Sequence, residues 1–409
     1  MAFIKPFKAI RPKKTEAKDI AALPYDVYNR KEAKEAVIGK PLSFLNIDRP
    51  ETQFDADVDM YSDEVYQKAH DLFWELVRAG HFIQDDKPCY YIYELTMNMR
   101  RQTGIVACAS IDEYESGVIK KHENTRAEKE KDRIRHVEAV CAQTGPIFLA
   151  YRENKNITDI VNKKKMTQPE YDFTADDGVR HRVWVIDDVD SIEAIYSGFK
   201  DTADIYIADG HHRAASAVKV GLKRRAENEH RSGDEEYNFF LSVLFPDSEL
   251  MIMDYNRVIK DLGKYTEEEF LAKVKELFEV KECNRKSPER KGMVTMYLKD
   301  KWYEIDLGEN KCPNDPVKSM DVSRIQDMLF EPVLGIKDPK SDKRIDFVGG
   351  IRGLTELERR VNTDCKVAFA MYPTSIDELF AVADAHLLMP PKSTWFEPKL
   401  RSGIFIHKI

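Results

Sequence analysis

The chain has 409 residues, 42% of them hydrophobic and 33% charged, which is enough apolar side chain for two cores and too long for one. Its 64 basic and 72 acidic residues leave a net charge of −8, which argues against the broad cationic surface of a general nucleic-acid binder. Six cysteines (Cys89, Cys108, Cys141, Cys283, Cys312 and Cys365), with no Cys-x-x-Cys pair, argue against a zinc ribbon, an iron–sulfur site or a disulfide framework.

The opening "MAFIKPFKAIRPKK" lacks the apolar core of a signal peptide, and no run approaches the roughly 20 apolar residues that span a bilayer. A soluble cytoplasmic protein with no membrane partner is expected. Prolines break "FIKPFKAIRP" into an edge strand or strand entry. In "ALPYDVYNRKEAKEAVIG" a Pro-Tyr-Asp-Val strand or turn leads to a short helix starting near Asn29. Val65, Ala69, Leu72, Phe73, Leu76 and Val77 recur at helical spacing ahead of Gly80, which predicts an amphipathic helix with a glycine cap. "CYYIYELTM" and "TGIVACASIDEY" predict a hairpin with its bend near Arg100 to Thr103.

"PIFLAY", "HRVWVID" and "YNFFLSVLFP" read as buried strands, and "LMIMDYNRVI" as one more. Strand and helix alternate here, so the fold class expected is α/β, or mixed α+β. The texture resets near residue 260, giving a domain over 1–260 and a C-terminal α+β domain over 261–409. The latter carries a helix in "EEEFLAKVKELFEV", a hairpin with a Lys-Asp turn in "GMVTMYLKDKWYEIDL", and the helix-like "SRIQDMLFEPVLG". Gly349, Gly350 and Gly353 in "IDFVGGIRGLTEL" match neither a Walker nor a Rossmann signature.

Chemistry concentrates in "DIYIADGHHRAASAV". Ile205 and Ile207 alternate as in a strand, and Ala214, Ala217, Val218 and Leu222 follow helical spacing, so a strand-to-helix corner is predicted. Asp209 suits the N-cap and Gly210 a tight turn. The helix start, with His211, His212 and Arg213 in its first turn, is either an anion site or simply a capped helix. Adjacent histidines point about 100° apart, unlike the i, i+4 pair of a zinc helix. Magnesium held by Asp209 and substrate phosphates suits the oxygen donors better.

In "KKHENTRAEKEKDRIRH", His122, Arg126, Lys129, Arg133 and His136 recur at steps of 4, 3, 4 and 3, which places them on one face of a predicted helix. That face is either a polyphosphate clamp or a solvated charged surface. The tail "MPPKSTWFEPKLRSG" has no regular period; Lys392, Ser393, Thr394 and Lys399 supply hydroxyls and cations suited to phosphate or amino-acid contacts, or form an ordinary surface loop.

Three motifs in order, "KHENTRAEKEKDR", "YIADGHHRAAS" and "MPPKSTWFEPKLRSG", with "ALPYDVY" before them, resemble the family catalogued as domain of unknown function 1015 across essentially the whole chain. The Gly-x-His-Arg core also resembles the phosphate-binding corner of the ParB and sulfiredoxin superfamily, some of whose members phosphorylate free serine. The resemblance implies a ParB/sulfiredoxin-like core, elaborated between Asn29 and Arg182. It further implies that Gly210, His211, His212 and Arg213 hold phosphate, that Asp209 lies beside the metal and the transferred group, and that Asp26 stands where relatives carry a glutamate base.

The function so expected is phosphoryl transfer from ATP or ADP, with Mg²⁺, to the hydroxyl of a free amino acid, first of all L-serine. Arg213, the paired histidines, Arg126 and Arg133 would neutralise phosphate charge, and Asp26 or Glu123 would accept the hydroxyl proton. The alternative is a non-catalytic nucleotide-binding switch. DNA binding is disfavoured by the charge.

Overall fold

Near-continuous apolar runs, rather than alternating ones, mark strands covered on both faces, and they build the larger of two sheets. The computed structural model describes residues 2–308 and 314–409, so Cys312 lies outside the described residues. The chain divides into two compact units, Met1–Leu250 with Pro398–Ile409, and Met251–Glu397. The division falls ahead of the boundary expected at 260, and the chain's end returns to the first unit. Backbone bonds hold it there: Ile10 and Ile406 exchange N–H···O bonds of 2.9 Å, and Ala22 pairs with Ser402. Such long-range pairing leaves no local pattern in the sequence.

The first unit is a nine-stranded mixed sheet. Its order runs Ile119–Lys120, Ile205–Asp209, Ile147–Tyr151, Phe239–Pro246, Arg100–Ser110, Tyr90–Met97, Arg180–Ile186, Tyr171–Thr174, with Ile4–Lys5 paired to the Arg100–Ser110 strand. Two neighbour pairs are parallel, Ile205–Asp209 with Ile119–Lys120 and Phe239–Pro246 with Ile147–Tyr151. The hairpin bend sits at Asn98 and Met99, both with positive φ (49° and 64°), rather than over Arg100 to Thr103. A two-residue hairpin turn needs consecutive left-handed residues, and the four positions expected there are paired strand.

Helix His211–Glu227 buries Ala214, Ala217 and Val218 in a core shared with Ile207, Leu149 and Phe240 of the sheet. Helix Ala127–Val140 packs on it, and helix Asp63–Arg78 packs on Ala127–Val140 in turn. A second core joins Phe44, Phe73, Phe82 and Ile406. The helix expected near Asn29 forms over Arg30–Ala36, closed by a reciprocal capping box between Asn29 and Glu32.

The second unit carries a six-stranded antiparallel sheet, ordered Glu279–Cys283, Lys301–Asp306, Met293–Leu298, Val367–Met371, Tyr255–Ile259, Ile345–Gly349. Its core gathers Val258, Trp302, Leu357 and Ala368. The expected Lys299-Asp300 turn forms, with both residues left-handed (φ 52° and 59°). "LMIMDYNRVI" splits at Asp254 into Ile252–Met253, paired with Trp395–Phe396, and Tyr255–Ile259 of the main sheet. "SRIQDMLFEPVLG" is one helical stretch whose middle, Gln326–Phe330, widens to a π-turn. Pro332 lacks an N–H and crowds the preceding turn, which gives the widening a cause. Among the described residues, no helix is long and apolar enough to cross a membrane.

Candidate functional site

The site begins where strand Ile205–Asp209 stops. Its pairing with Ile147–Tyr151 becomes irregular between Ile207 and Asp209, and the chain then turns through Gly210 at φ 92°, ψ 31°. An added Cβ at Gly210 would lie 3.0 to 3.1 Å from the Arg213 guanidinium, so glycine here permits both the left-handed turn and the folding back of Arg213. Gly210, not Asp209, is the N-cap of the 17-residue helix. Asp209 remains the last strand residue because the turn needs the conformation that glycine alone adopts freely.

Released from capping, Asp209 faces cations. Its Oδ1 accepts the Gly210 N–H at 2.9 Å, and its Oδ2 accepts Lys399 Nζ at 3.1 Å and lies 3.9 Å from Arg213 Nη2. Burial alone would raise this carboxyl; Lys399 and Arg213 outweigh it and hold the group well below the usual carboxylate range. Arg213 is anchored in turn by Nη1 on the Pro146 carbonyl.

The histidines tie the 121–126 loop to this corner. His211 Nε2 accepts the His122 N–H at 3.5 Å, and His212 Nε2 accepts the Arg126 N–H at 2.9 Å. Nitrogens that accept carry no proton, so each neutral ring holds its hydrogen on Nδ1. Burial lowers the pKa of all three histidines, that of His122 to about 4. The rings of His122 and His211 meet edge to face, 4.5 Å between centroids. His122 is 2% exposed; the Ile207 backbone and Asp209 favour its charged form, against burial.

The single cationic helix face is not what forms. Ile119–Lys120 pairs as a strand with Ile205–Asp209, and the helix begins only at Ala127, with Arg126 as its N-cap. His122 therefore precedes the helix. Arg133 and His136 are buried: Arg133 Nε and Nη2 meet Asp132 at 3.0 and 2.9 Å, its guanidinium lies 4.0 Å from the Tyr25 ring centre, and His136 Nε2 lies 2.9 Å from the Ile47 carbonyl. Arg126 and Lys129 are exposed.

Arg133 and Arg213 nonetheless line one narrow cleft of about 30 Å³, with Asp48, Thr144 and Ser402. Beyond the wall made by Tyr25 and Arg133 lies a cavity of about 260 Å³, lined by Asp26, Arg30, Arg49 and Lys129 among others. Asp26 is exposed on the turn Tyr25–Val27, and its charge raises the pKa of His212, opposing the effect of burial. Arg49 fixes that turn by donating from Nη1 to the carbonyls of Tyr25 (2.8 Å) and Tyr28 (2.6 Å).

Glu123 is exposed on the 121–126 loop and lines neither cavity. Of the tail residues, Lys399 reaches the corner within the first unit. Lys392, Ser393 and Thr394 belong to the second unit, where Ser393 Oγ bonds the Pro390 carbonyl at 2.7 Å and the Lys392 carbonyl accepts Arg257 Nη2 at 3.1 Å. Tyr25, Arg49, Asp48, Thr144 and Ser402 went unnoticed in the sequence. Only the Gly-Pro step in "QTGP" and the quoted "PYDV" pointed near them.

Among the described residues, no group of three or more His, Cys, Asp or Glu is arranged to hold a metal ion. At the corner, the Asp209 carboxylate, bonded to Lys399, is an oxygen donor of the kind that suits magnesium.

No curated protein matches the chain. Among solved structures, a free serine kinase in complex with AMP is 14% identical, covering 74% of this chain and 91% of that one, at a TM-score of 0.37. A mutant free serine kinase in complex with ADP is 13% identical over 74% and 92%, also at 0.37. SbnI from Staphylococcus aureus, with a C-terminal truncation, is 11% identical over 71% and 82%, at 0.38. Likenesses this distant bear on no activity. A sequence profile, by contrast, matches residues 4–323, most of the chain's length, so the chain belongs to the family described as Protein of unknown function (DUF1015).

Proposed function

We propose that the first unit transfers a phosphoryl group from a nucleotide, ATP or ADP, to the hydroxyl of a free amino acid, L-serine being the acceptor implied by the sequence resemblance. The observation that carries the proposal is the Asp209 carboxylate held between Lys399 and Arg213 at the N-terminus of a long helix. Such an end offers free N–H donors and partial positive charge to phosphate oxygens.

In the transfer, the bond from the terminal phosphorus to the bridging oxygen breaks and its electrons stay with the departing nucleotide. The acceptor oxygen bonds to phosphorus and gives up its proton. Arg213 and the first-turn N–H groups bind the equatorial oxygens, and Arg133 reaches the same cleft from the other side. Asp26, beside the 260 Å³ cavity and within electrostatic reach of His212, takes the proton. Asp209 would be the protein's oxygen ligand to a magnesium ion bound with the nucleotide, which would supply charge neutralisation there.

The alternative is a nucleotide-binding switch without turnover. The cavity beside the phosphate corner favours transfer, since a switch needs no room for an acceptor. Phosphorus NMR of the full chain with Mg²⁺, ATP or ADP, and a panel of amino acids separates the two. O-phosphoserine formation supports transfer, and nucleotide binding without product supports the switch. No binding of either nucleotide overturns both.

A further inference from the structure

The second unit buries an arginine that has no counter-ion among the described residues. Arg257 lies within strand Tyr255–Ile259 and is 3% exposed. Its guanidinium donates from Nη1 to the Tyr255 carbonyl and from Nη2 to the Lys392 carbonyl at 3.1 Å, and it lies 5.3 Å from the Phe347 ring centre. Those bonds use two of the five N–H donors a guanidinium carries. Among the described residues, no carboxylate forms an ion pair with it. Arg324, just as buried in the same unit, does have one, with Asp321 at 3.5 Å.

A buried charge without a partner is costly, and arginine does not escape the cost by releasing its proton. Burial lowers the Arg257 pKa only to about 10, so it remains a cation at neutral pH. The group borders a cavity of about 180 Å³. The opposite wall is the widened helix, which contributes Ser323, Gln326 and Phe330, while Ile345 and Pro391 add apolar surface. Single π-turns occur frequently at functional sites.

We propose that this cavity binds a small monocarboxylate, its carboxylate against Arg257 and its apolar body against Phe330, Ile345 and Pro391. One deep cation matches one negative charge. Asp327, exposed at the cavity's lining, opposes a dianion such as phosphate; among the described lining residues the exposed Lys318 alone offsets it. The site lies wholly in the second unit and does not depend on the function proposed for the first.

The test is thermal unfolding of the full chain with butyrate, its neutral isostere butyramide, or inorganic phosphate, at matched ionic strength. Butyrate is expected to raise the Tm saturably, by roughly 5 °C at about a hundredfold excess over Kd; butyramide and phosphate are not. Arg257→Met removes the effect. Arg257→Lys, which keeps the charge but loses the planar fork, weakens it about tenfold and serves if the methionine variant does not fold. Equal effects of butyrate and butyramide, a response to phosphate alone, no response at all, or a butyrate response surviving in Arg257→Met would each overturn the proposal.

Discussion

The Asp209 carboxylate and the Lys399 ammonium, 190 positions apart in the chain, meet at 3.1 Å. With Arg213 at 3.9 Å from the same oxygen, the carboxylate sits between two cations. The corner's positive charge is thereby ordered before any phosphate arrives, and little reorganisation is left for the moment of reaction. Asp209→Asn is expected to lower kcat about 10²–10³-fold, in the range found for removing one preorganised electrostatic contact. Lys399→Met raises the KM for nucleotide as well, because it removes a cation from the phosphate corner. Steady-state kinetics of the proposed phosphoryl transfer check both, and an unchanged kcat in Asp209→Asn would remove that residue from the mechanism.

Gly210→Ala tests the turn itself. Alanine in the left-handed region costs on the order of 1–2 kcal/mol, and here its Cβ also meets the Arg213 guanidinium at 3.0 to 3.1 Å. The variant is expected to fold with a lower urea midpoint and to bind nucleotide at least tenfold more weakly, because Arg213 must move. Calorimetric titration with ADP reads the second effect. Affinity equal to that of the parent protein would mean Arg213 does not touch phosphate.

His122 separates packing from function. A core histidine kept for stability loses stability when replaced, whereas a buried imidazole with few polar partners loses little. His122→Phe should therefore match or exceed the parent protein in stability at pH 7. The folded ring holds its proton less tightly than the unfolded one, with a pKa of about 4 against 6.5, so its contribution is present above pH 6.5 and is lost as pH falls toward 4. The His122→Phe variant should lose less stability than the parent over that window. Lower stability of the variant at pH 7 would return His122 to a packing role.

The strand-to-helix corner was legible because local pattern sets it: alternation up to Ile207, a glycine where φ is positive, and alanines at helical spacing. The Asn29 helix and the Lys299-Asp300 turn were legible for the same reason, since caps and tight turns are built from neighbours in sequence. The cationic face failed because spacing alone cannot reveal that Ile119–Lys120 pairs with a distant strand and delays the helix to Ala127. The sequence does not show that the Nε2 atoms of His211 and His212 accept backbone N–H groups of a loop about 90 residues upstream. Lys399 was marked for its charge, but its partner Asp209 depended on the chain's end folding back to the first unit. Side-chain burial against remote backbone, as for Arg133 and Arg257, leaves no periodic trace.

Glu113 gives a pH dependence away from the candidate site. Its Oε1 accepts the Phe3 N–H, and its Oε2 is buried without a partner. Burial raises the carboxyl from 4.5 to about 7, the Phe3 bond opposing only part of the rise. Between those values the folded state holds a proton that the unfolded state has released. Stability from this group is thus full below pH 4.5 and is lost as pH climbs through 7. Glu113→Gln keeps an acceptor for Phe3 and cannot ionise. It is expected to match the parent protein at pH 4.5 and to exceed it at pH 8.5 by on the order of 2–3 kcal/mol in urea unfolding. A stability difference between the two proteins that is the same at both pH values would show that Glu113 does not titrate on folding.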